Sequence, residues 1–285
     1  LASLRKQLEE LQIRPRKRLG QHFVVQESVL QKIAAAADLE PKDIVLEIGA
    51  GLGALTAFLT PPAQKVYAVE IDDRLARALA ERFKGHPNVE VIHADALQVD
   101  LSSLFRPKGQ KLKVVANLPY EISSPMIFRL WKERIAFSRF ILMLQLEVAR
   151  RIVAKPGTKD YGPLSLWSQQ YSIPRISFLV PPSAFYPRPK VKSAVVRFDI
   201  RPQPAVHVEN EQNLRWVIRS AFTYRRKTLL RALQLGEFSQ LSSNRIRQAL
   251  EAAGVSPSAR GEDLTLEQFG NLSRMFPAVD GGQHR

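Results

Sequence analysis

From Ile44 onward short apolar runs alternate with amphipathic stretches, and this alternation limits the possible folds more than any single residue does. Ile44–Ile48, Val66–Ile71, Val89–His93, Lys113–Asn117 and Phe140–Leu146 read as strands, with helical stretches such as Asp72–Lys84 and Pro125–Arg134 between them. Strands alternating with helices imply βαβ units and a mostly parallel sheet. After Glu147–Ala154 the rhythm changes. Arg175–Val180 and Ser193–Ile200 read as two more strands joined by the Pro-rich loop Pro181–Pro189, most simply an antiparallel addition at the sheet edge. Arg201-Pro202-Gln203-Pro204 marks a boundary, and Asn210–Thr223, Lys227–Leu235, Asn244–Ala253 and Thr265–Met275 beyond it have helical periodicity. The expected division is an α/β domain over residues 1–204, with a basic lead-in, and a small all-helical domain over 205–285.

Charge points to a partner. The chain has 285 residues, with 42 Lys plus Arg against 27 Asp plus Glu, a formal net charge of +15. Residues 205–285 hold 11 of the cations and 8 of the anions, so +12 lies on residues 1–204. A basic surface on the α/β part favours a polyanion, and nucleic acid is the commonest. The chain has no Cys, which excludes disulfides, thiolate metal sites and a Cys nucleophile and fits a reducing compartment. His22, His86, His93, His207 and His284 show no i,i+4 pairing, and there is no P-loop or G-x-S-x-G, so neither a metal nor a covalent nucleophile is expected. No apolar run approaches the roughly 18 residues of a membrane span. Leu1–Arg18 holds Glu9 and Glu10 and lacks an apolar core, so it does not read as a secretory signal.

The sharpest local signal is Val45-Leu46-Glu47-Ile48-Gly49-Ala50-Gly51-Leu52-Gly53-Ala54, a buried strand entering a glycine turn. Glycines permit tight turning and let a ligand approach the main chain. Glu70 ends the next strand, 21 residues after Gly49, where a carboxylate can accept from ribose hydroxyls. Ala94-Asp95-Ala96 follows the third strand and puts a second carboxylate on the same edge, suited to an adenine amino group. Ligands in open α/β sheets bind outside the carboxyl ends of the strands, so three strand ends converge on an adenosine-shaped site. The turn also fits G-x-G-x-x-G/A and by itself leaves a nicotinamide cofactor open.

The fourth strand separates the two. It leads into Asn117-Leu118-Pro119-Tyr120, which no dehydrogenase chemistry requires and which methyl transfer to an exocyclic amine does. The N6 lone pair of adenine is delocalised into the ring and is a poor nucleophile. The Asn117 side-chain oxygen and the Leu118 carbonyl can accept from its two N–H groups, aim the lone pair at an electrophilic methyl, and stabilise charge developing on nitrogen. Pro119 restricts its own φ and the conformation of Leu118. Tyr120 offers a stacking face for the base.

With these motifs the chain resembles the ribosomal RNA adenine N6,N6-dimethyltransferase family, in its bacterial small-subunit branch. The resemblance spans nearly the whole chain, through Leu19-Gly20-Gln21-His22-Phe23-Val24, Glu47–Gly53, Val69-Glu70-Ile71-Asp72, Ala94-Asp95-Ala96, Asn117–Tyr120, Phe185–Val195, Ala221–Leu233 and Ala259–Leu264. It implies a Rossmann-like class I methyltransferase fold, with a seven-stranded mostly parallel sheet and a small all-helical C-terminal domain. It implies S-adenosylmethionine as cofactor and, as substrate, two adjacent adenosines in a hairpin loop near the 3′ end of small-subunit rRNA, within a pre-small-subunit particle. Cofactor contacts are expected at Gln21, His22, Val24, Gly49, Gly51, Gly53, Glu70, Ile71, Asp95, Ala96 and Asn117. His22 stands where the family often has Asn, and Val24 where it often has Leu. Catalytic roles are expected for Asn117, Leu118, Pro119, Tyr120 and Phe185, with Phe185 opposite Tyr120 to clamp a flipped base. RNA contacts are expected at Arg14, Arg16, Lys17, Arg18, Arg188 and Lys190, and at Arg225 and Arg226 unless that run supports the domain interface. A cytoplasmic monomer without metal or membrane is expected. The rivals are a large-subunit rRNA adenine methyltransferase of the macrolide-resistance type and a non-catalytic nucleic-acid-binding factor that keeps the fold.

Overall fold

The protein is described by a computed structural model over residues 4–16, 19–101 and 110–276. Its strands are β1 (Phe23–Val24), β2 (Ile44–Ile48), β3 (Lys65–Glu70), β4 (Val89–His93), β5 (Leu112–Asn117), β6 (Phe137–Gln145), β7 (Ser172–Val180), β8 (Phe185–Tyr186) and β9 (Ser193–Ile200). Seven of them form one sheet in the order β4-β3-β2-β5-β6-β9-β7, and β1 pairs with β8 in a separate two-stranded ribbon. The pairs β2–β3, β2–β5, β3–β4 and β5–β6 are parallel, and β6–β9 is antiparallel.

The sequence explains this order. β2 is apolar at four of its five positions and buried throughout, as a strand covered on both faces must be. Leu46, Val114, Val115, Ile141 and Leu142 are wholly inaccessible, each contributing roughly 1.5–3 kcal/mol by burial. From β2 the chain winds outward to β3 and β4, then returns to add β5 and β6 on the other side. That reversal opens a crevice at the carboxyl ends of β2 and β5. The helix Asp73–Phe83 follows β3, its N-terminus capped by Asp72, which accepts from the Arg74 N–H. The helix Ser123–Lys132 follows β5.

The division of the chain differs from a single cut after residue 204. Residues 1–149 and 173–201 form one compact unit, and residues 150–172 and 202–285 the other. The helix Pro163–Tyr171 accounts for the difference. Its Gln170 side chain donates to the Val206 carbonyl (2.7 Å) and accepts from the Val206 N–H (3.1 Å), and Arg215 lies over the Trp167 ring. In this second unit the helix Glu211–Thr223 packs against Leu229–Leu235, Leu266–Arg274 and Pro163–Tyr171. Among the described residues no helix is long and apolar enough to cross a membrane.

Candidate active site

The chain leaves β2 through Gly49, Gly51 and Gly53, with φ of 75°, 61° and 77°. At Gly53 an added Cβ would lie 2.4 Å from the Phe83 ring and 2.6 Å from Leu79, so this glycine admits the helix Asp73–Phe83 rather than a ligand. At Gly51 the limit is the Phe23 ring, 3.2 Å away. The Gly51 N–H donates to Glu70 Oε2 (2.8 Å) and the Asp72 N–H to Glu70 Oε1 (2.9 Å). Glu70 is 4% exposed; burial pushes its carboxyl up, and these two N–H groups pull it back. A carboxylate offers about four acceptor positions, so about two remain for a ribose diol. Behind it Glu47 is equally buried. Burial pushes Glu47 up to about 8 and the nearby Glu70 adds to this, against a hydrogen bond from the Thr56 hydroxyl (2.6 Å). Glu47 therefore holds its proton more tightly than an ordinary carboxyl, which opposes a second buried charge beside Glu70.

A strap that includes residues 19–24 borders the cleft, and Asp72 latches it together with Arg16. Gln21 Nε2 donates to Asp72 Oδ2 (3.3 Å), and Arg16 lies 3.5 Å from Asp72 and 3.7 Å from Asp73. The Arg16 N–H also donates to Gln21 Oε1 (2.7 Å). Burial opposes the Asp72 charge, but hydrogen bonds from Arg74 and Gln21 outweigh it and hold the carboxyl at about 2. The folded value lies below the ordinary 3.8, so the latch stabilises the fold above that pH and the stability is lost as pH falls toward 2. Denaturant titrations should show Asp72→Asn less stable than wild type at pH 6 by roughly 2 kcal/mol, the gap closing by pH 2. A constant gap would contradict the latch.

At the tip of β5, Asn117 Nδ2 donates to the His22 carbonyl (2.9 Å). A carbonyl only accepts, so the amide nitrogen must face His22 and Oδ1 the other way. Leu118 is held by its N–H on the Met143 carbonyl (3.3 Å), and no described residue donates to its own carbonyl. The Tyr120 hydroxyl lies 2.8 Å from Ser193 Oγ, and its ring stacks on His22 with centroids 5.4 Å apart. Burial pushes the Tyr120 phenol up. Asp95 closes the far side, accepting from the Leu97 N–H and from Gln98 Nε2, both at 2.9 Å.

The structure gathers most of the expected residues around one open cleft of about 1010 Å³, its mouth included. Gln21, His22, Gly49, Gly51, Glu70, Ile71, Asp95, Ala96, Asn117, Leu118, Pro119 and Tyr120 all line it. Several of the expected residues lie outside that lining. Val24 is buried in the hydrophobic cluster and lines a small pocket with Gly49, Gly51 and Asn117, and its strand partner Phe185 is buried with it at 4% exposure. Gly53 packs against a helix. Arg16 is engaged with Asp72 and Asp73 inside the fold. Arg225 pairs with Glu262 (2.7 Å) and donates to the Lys159 carbonyl (2.7 Å). Lys17 and Arg18 lie outside the described residues; Arg14, Arg188, Lys190 and Arg226 are at least partly exposed. Sequence reasoning missed the latch residue Asp72 and the Tyr120 partner Ser193. An Asp just before a helix is a cap signal, which would have marked Asp72.

The sheet order, its antiparallel strand β9 and the cleft at the switch point are those of a Rossmann-like class I methyltransferase. A dimethyladenosine transferase from Plasmodium falciparum superposes with a TM-score of 0.71 at 28% identity, over 88% of this chain and 95% of its own. The 23S rRNA methyltransferase ErmE superposes with a TM-score of 0.68 at 29% identity, over 89% and 98%. In sequence, the ribosomal RNA small subunit methyltransferase A of Pelotomaculum thermopropionicum is 47% identical over 280 residues, 95% of this chain and 93% of that protein. Residues 13–277 match the ribosomal RNA adenine dimethylase family, and the chain belongs to it. The methyl donor is S-adenosylmethionine, and the residues present fit it: a glycine floor without side chains, a buried carboxylate with acceptor positions to spare, and Asp95 on the same edge.

Proposed function

We propose that this protein dimethylates N6 of two adjacent adenosines in the 3′-terminal hairpin loop of small-subunit rRNA, acting as a cytoplasmic monomer on a pre-small-subunit particle. The observation that carries this reading is the Asn117 amide, pinned through its nitrogen so that Oδ1 is the end left to accept. The small-subunit target in the name of the Pelotomaculum relative supports the choice of RNA. S-adenosylmethionine, when bound, supplies an electrophilic sulfonium methyl. Glu70 holds the ribose, and Asp95 the adenine amino group. Asn117 Oδ1 and the Leu118 carbonyl accept from N6 of the flipped target base, drawing its lone pair out of conjugation and stabilising charge on nitrogen. Tyr120, backed by His22, offers its other face to that base. The alkylated ammonium then loses its proton to solvent, so no strong base is needed.

The test is incubation of unmethylated small and large subunits with protein and methyl donor, followed by mass spectrometry of digested rRNA. The expected product is two N6,N6-dimethyladenosines per small subunit and none on the large one. Product on large-subunit rRNA, or none at all, would overturn the reading.

RNA binding should weaken steeply with salt through counterion release. Arg188→Ala with Lys190→Ala should flatten the log K against log[salt] slope, by about 0.7–0.9 for each phosphate no longer neutralised. Arg16→Ala should leave that slope unchanged, because its guanidinium is already engaged by Asp72 and Asp73. A flattened slope in Arg16→Ala would return that residue to the RNA surface.

A further inference from the structure

His22 joins three segments that are remote in sequence. Its carbonyl accepts from Asn117 Nδ2, its ring stacks on Tyr120 at an interplanar angle of 30°, and its Nδ1 lies 2.7 Å from the Pro187 carbonyl. The circuit closes through the hydrogen bond between the Tyr120 hydroxyl and Ser193 Oγ, six residues beyond Pro187. A carbonyl oxygen has no proton to give, so Nδ1 carries it, and in the neutral ring Nε2 is bare.

We propose that His22 is a positioning residue for methyl transfer, held as the Nδ1–H tautomer. Its N–H on Pro187 ties the strap to the loop before β9, and so sets both the carbonyl that orients Asn117 and the ring that backs Tyr120. The proposal rests on Asn117 and Tyr120 facing the target base. Removing the ring N–H loses the tie to Pro187 beside the His22 carbonyl, while the Asp72 latch and the β1–β8 pairing keep the rest of the strap in place. The chemical step then suffers more than either binding step.

The variants separate the two ring contacts. Asn places an N–H near the position of Nδ1 but has no ring, whereas Phe keeps a ring and loses the N–H. Single-turnover rates at saturating methyl donor and RNA should fall at least tenfold in His22→Ala and in His22→Phe, and His22→Asn should recover to within threefold of wild type. Calorimetry reads any loss of donor affinity separately, and the rate defect of His22→Ala and His22→Phe at saturating donor should exceed it. In ¹⁵N-histidine-labelled protein at pH 8, the signal missing from His22→Asn should have the Nδ1–H pattern. The proposal is overturned by an unimpaired His22→Ala, by His22→Asn as slow as His22→Ala, by a defect confined to donor affinity, or by an Nε2–H tautomer. Asn117→Ala serves as control: full activity there would sink the reading of the site itself, while a defect there beside a normal His22→Ala would sink only the role of His22.

Discussion

Asn117→Ala is expected to slow single-turnover methylation by about 10²–10³ at saturating donor and RNA, the range for loss of one preorganised polar group. Its oxygen acts on charge that appears only as the methyl moves, so kcat and kcat/KM should fall together. RNA affinity should barely change, because phosphate contacts elsewhere supply most of it. The pin on His22 adds a second variant. Asn117→Asp keeps an acceptor for N6 but turns a carboxylate oxygen toward the His22 carbonyl, so it should be impaired as well. A near-wild-type rate in Asn117→Ala would end the amine-orienting mechanism, whatever its effect on folding.

Glu70→Ala should weaken binding of S-adenosylmethionine at least tenfold, since a hydrogen bond to a charged group is worth about 1.5–3 kcal/mol. A cost in stability accompanies this. The Gly51 and Asp72 N–H groups both lose their buried acceptor, at about 1–3 kcal/mol each where water does not replace it. The variant should therefore be measurably less stable before any ligand is added. Calorimetry with the donor and denaturant unfolding read the two effects separately. Undiminished affinity in a folded variant would remove Glu70 from the ribose site.

Much of the sheet is legible in the sequence because its strands are bounded by strong local contrasts. β2, β4 and β9 begin and end where the apolar runs do. β6 starts at Phe137, earlier than Phe140, because Arg139 inside the strand is absorbed by an ion pair with Asp199 (2.7 Å) on the neighbouring β9. Polarity in a strand is invisible as strand signal when its partner lies 60 residues away. The helix Pro163–Tyr171 escapes sequence reading because its apolar positions serve a unit assembled from distant sequence. The cleft is read from strand ends, which sequence marks well. The burial of Phe185 is not legible in sequence because it depends on register: pairing of Val24 with Phe185 buries its ring in the cluster, and no periodicity in a two-residue strand announces that. The differing surroundings of Arg14 and Arg16 are hidden for a related reason. Adjacent cations look alike in sequence, while Arg16 meets Asp72 and Arg14 is left toward solvent.

The placement of β9 between β6 and β7 also bears on how the chain is made. During translation the glycine turn, Glu70 and Asn117 emerge early, but the partner of His22 lies 165 residues further on, and the strand that covers the β6 edge comes after that. Until Ser193–Ile200 has left the ribosome a nascent chain carries a bare β6 edge, and until Phe185–Tyr186 has left it β1 lacks its strand partner. Copies cut short before Pro187 have the residues of the cofactor cleft but lack both the strap's tie and the strand that covers β6. Such copies expose the β6 edge, through which they can associate.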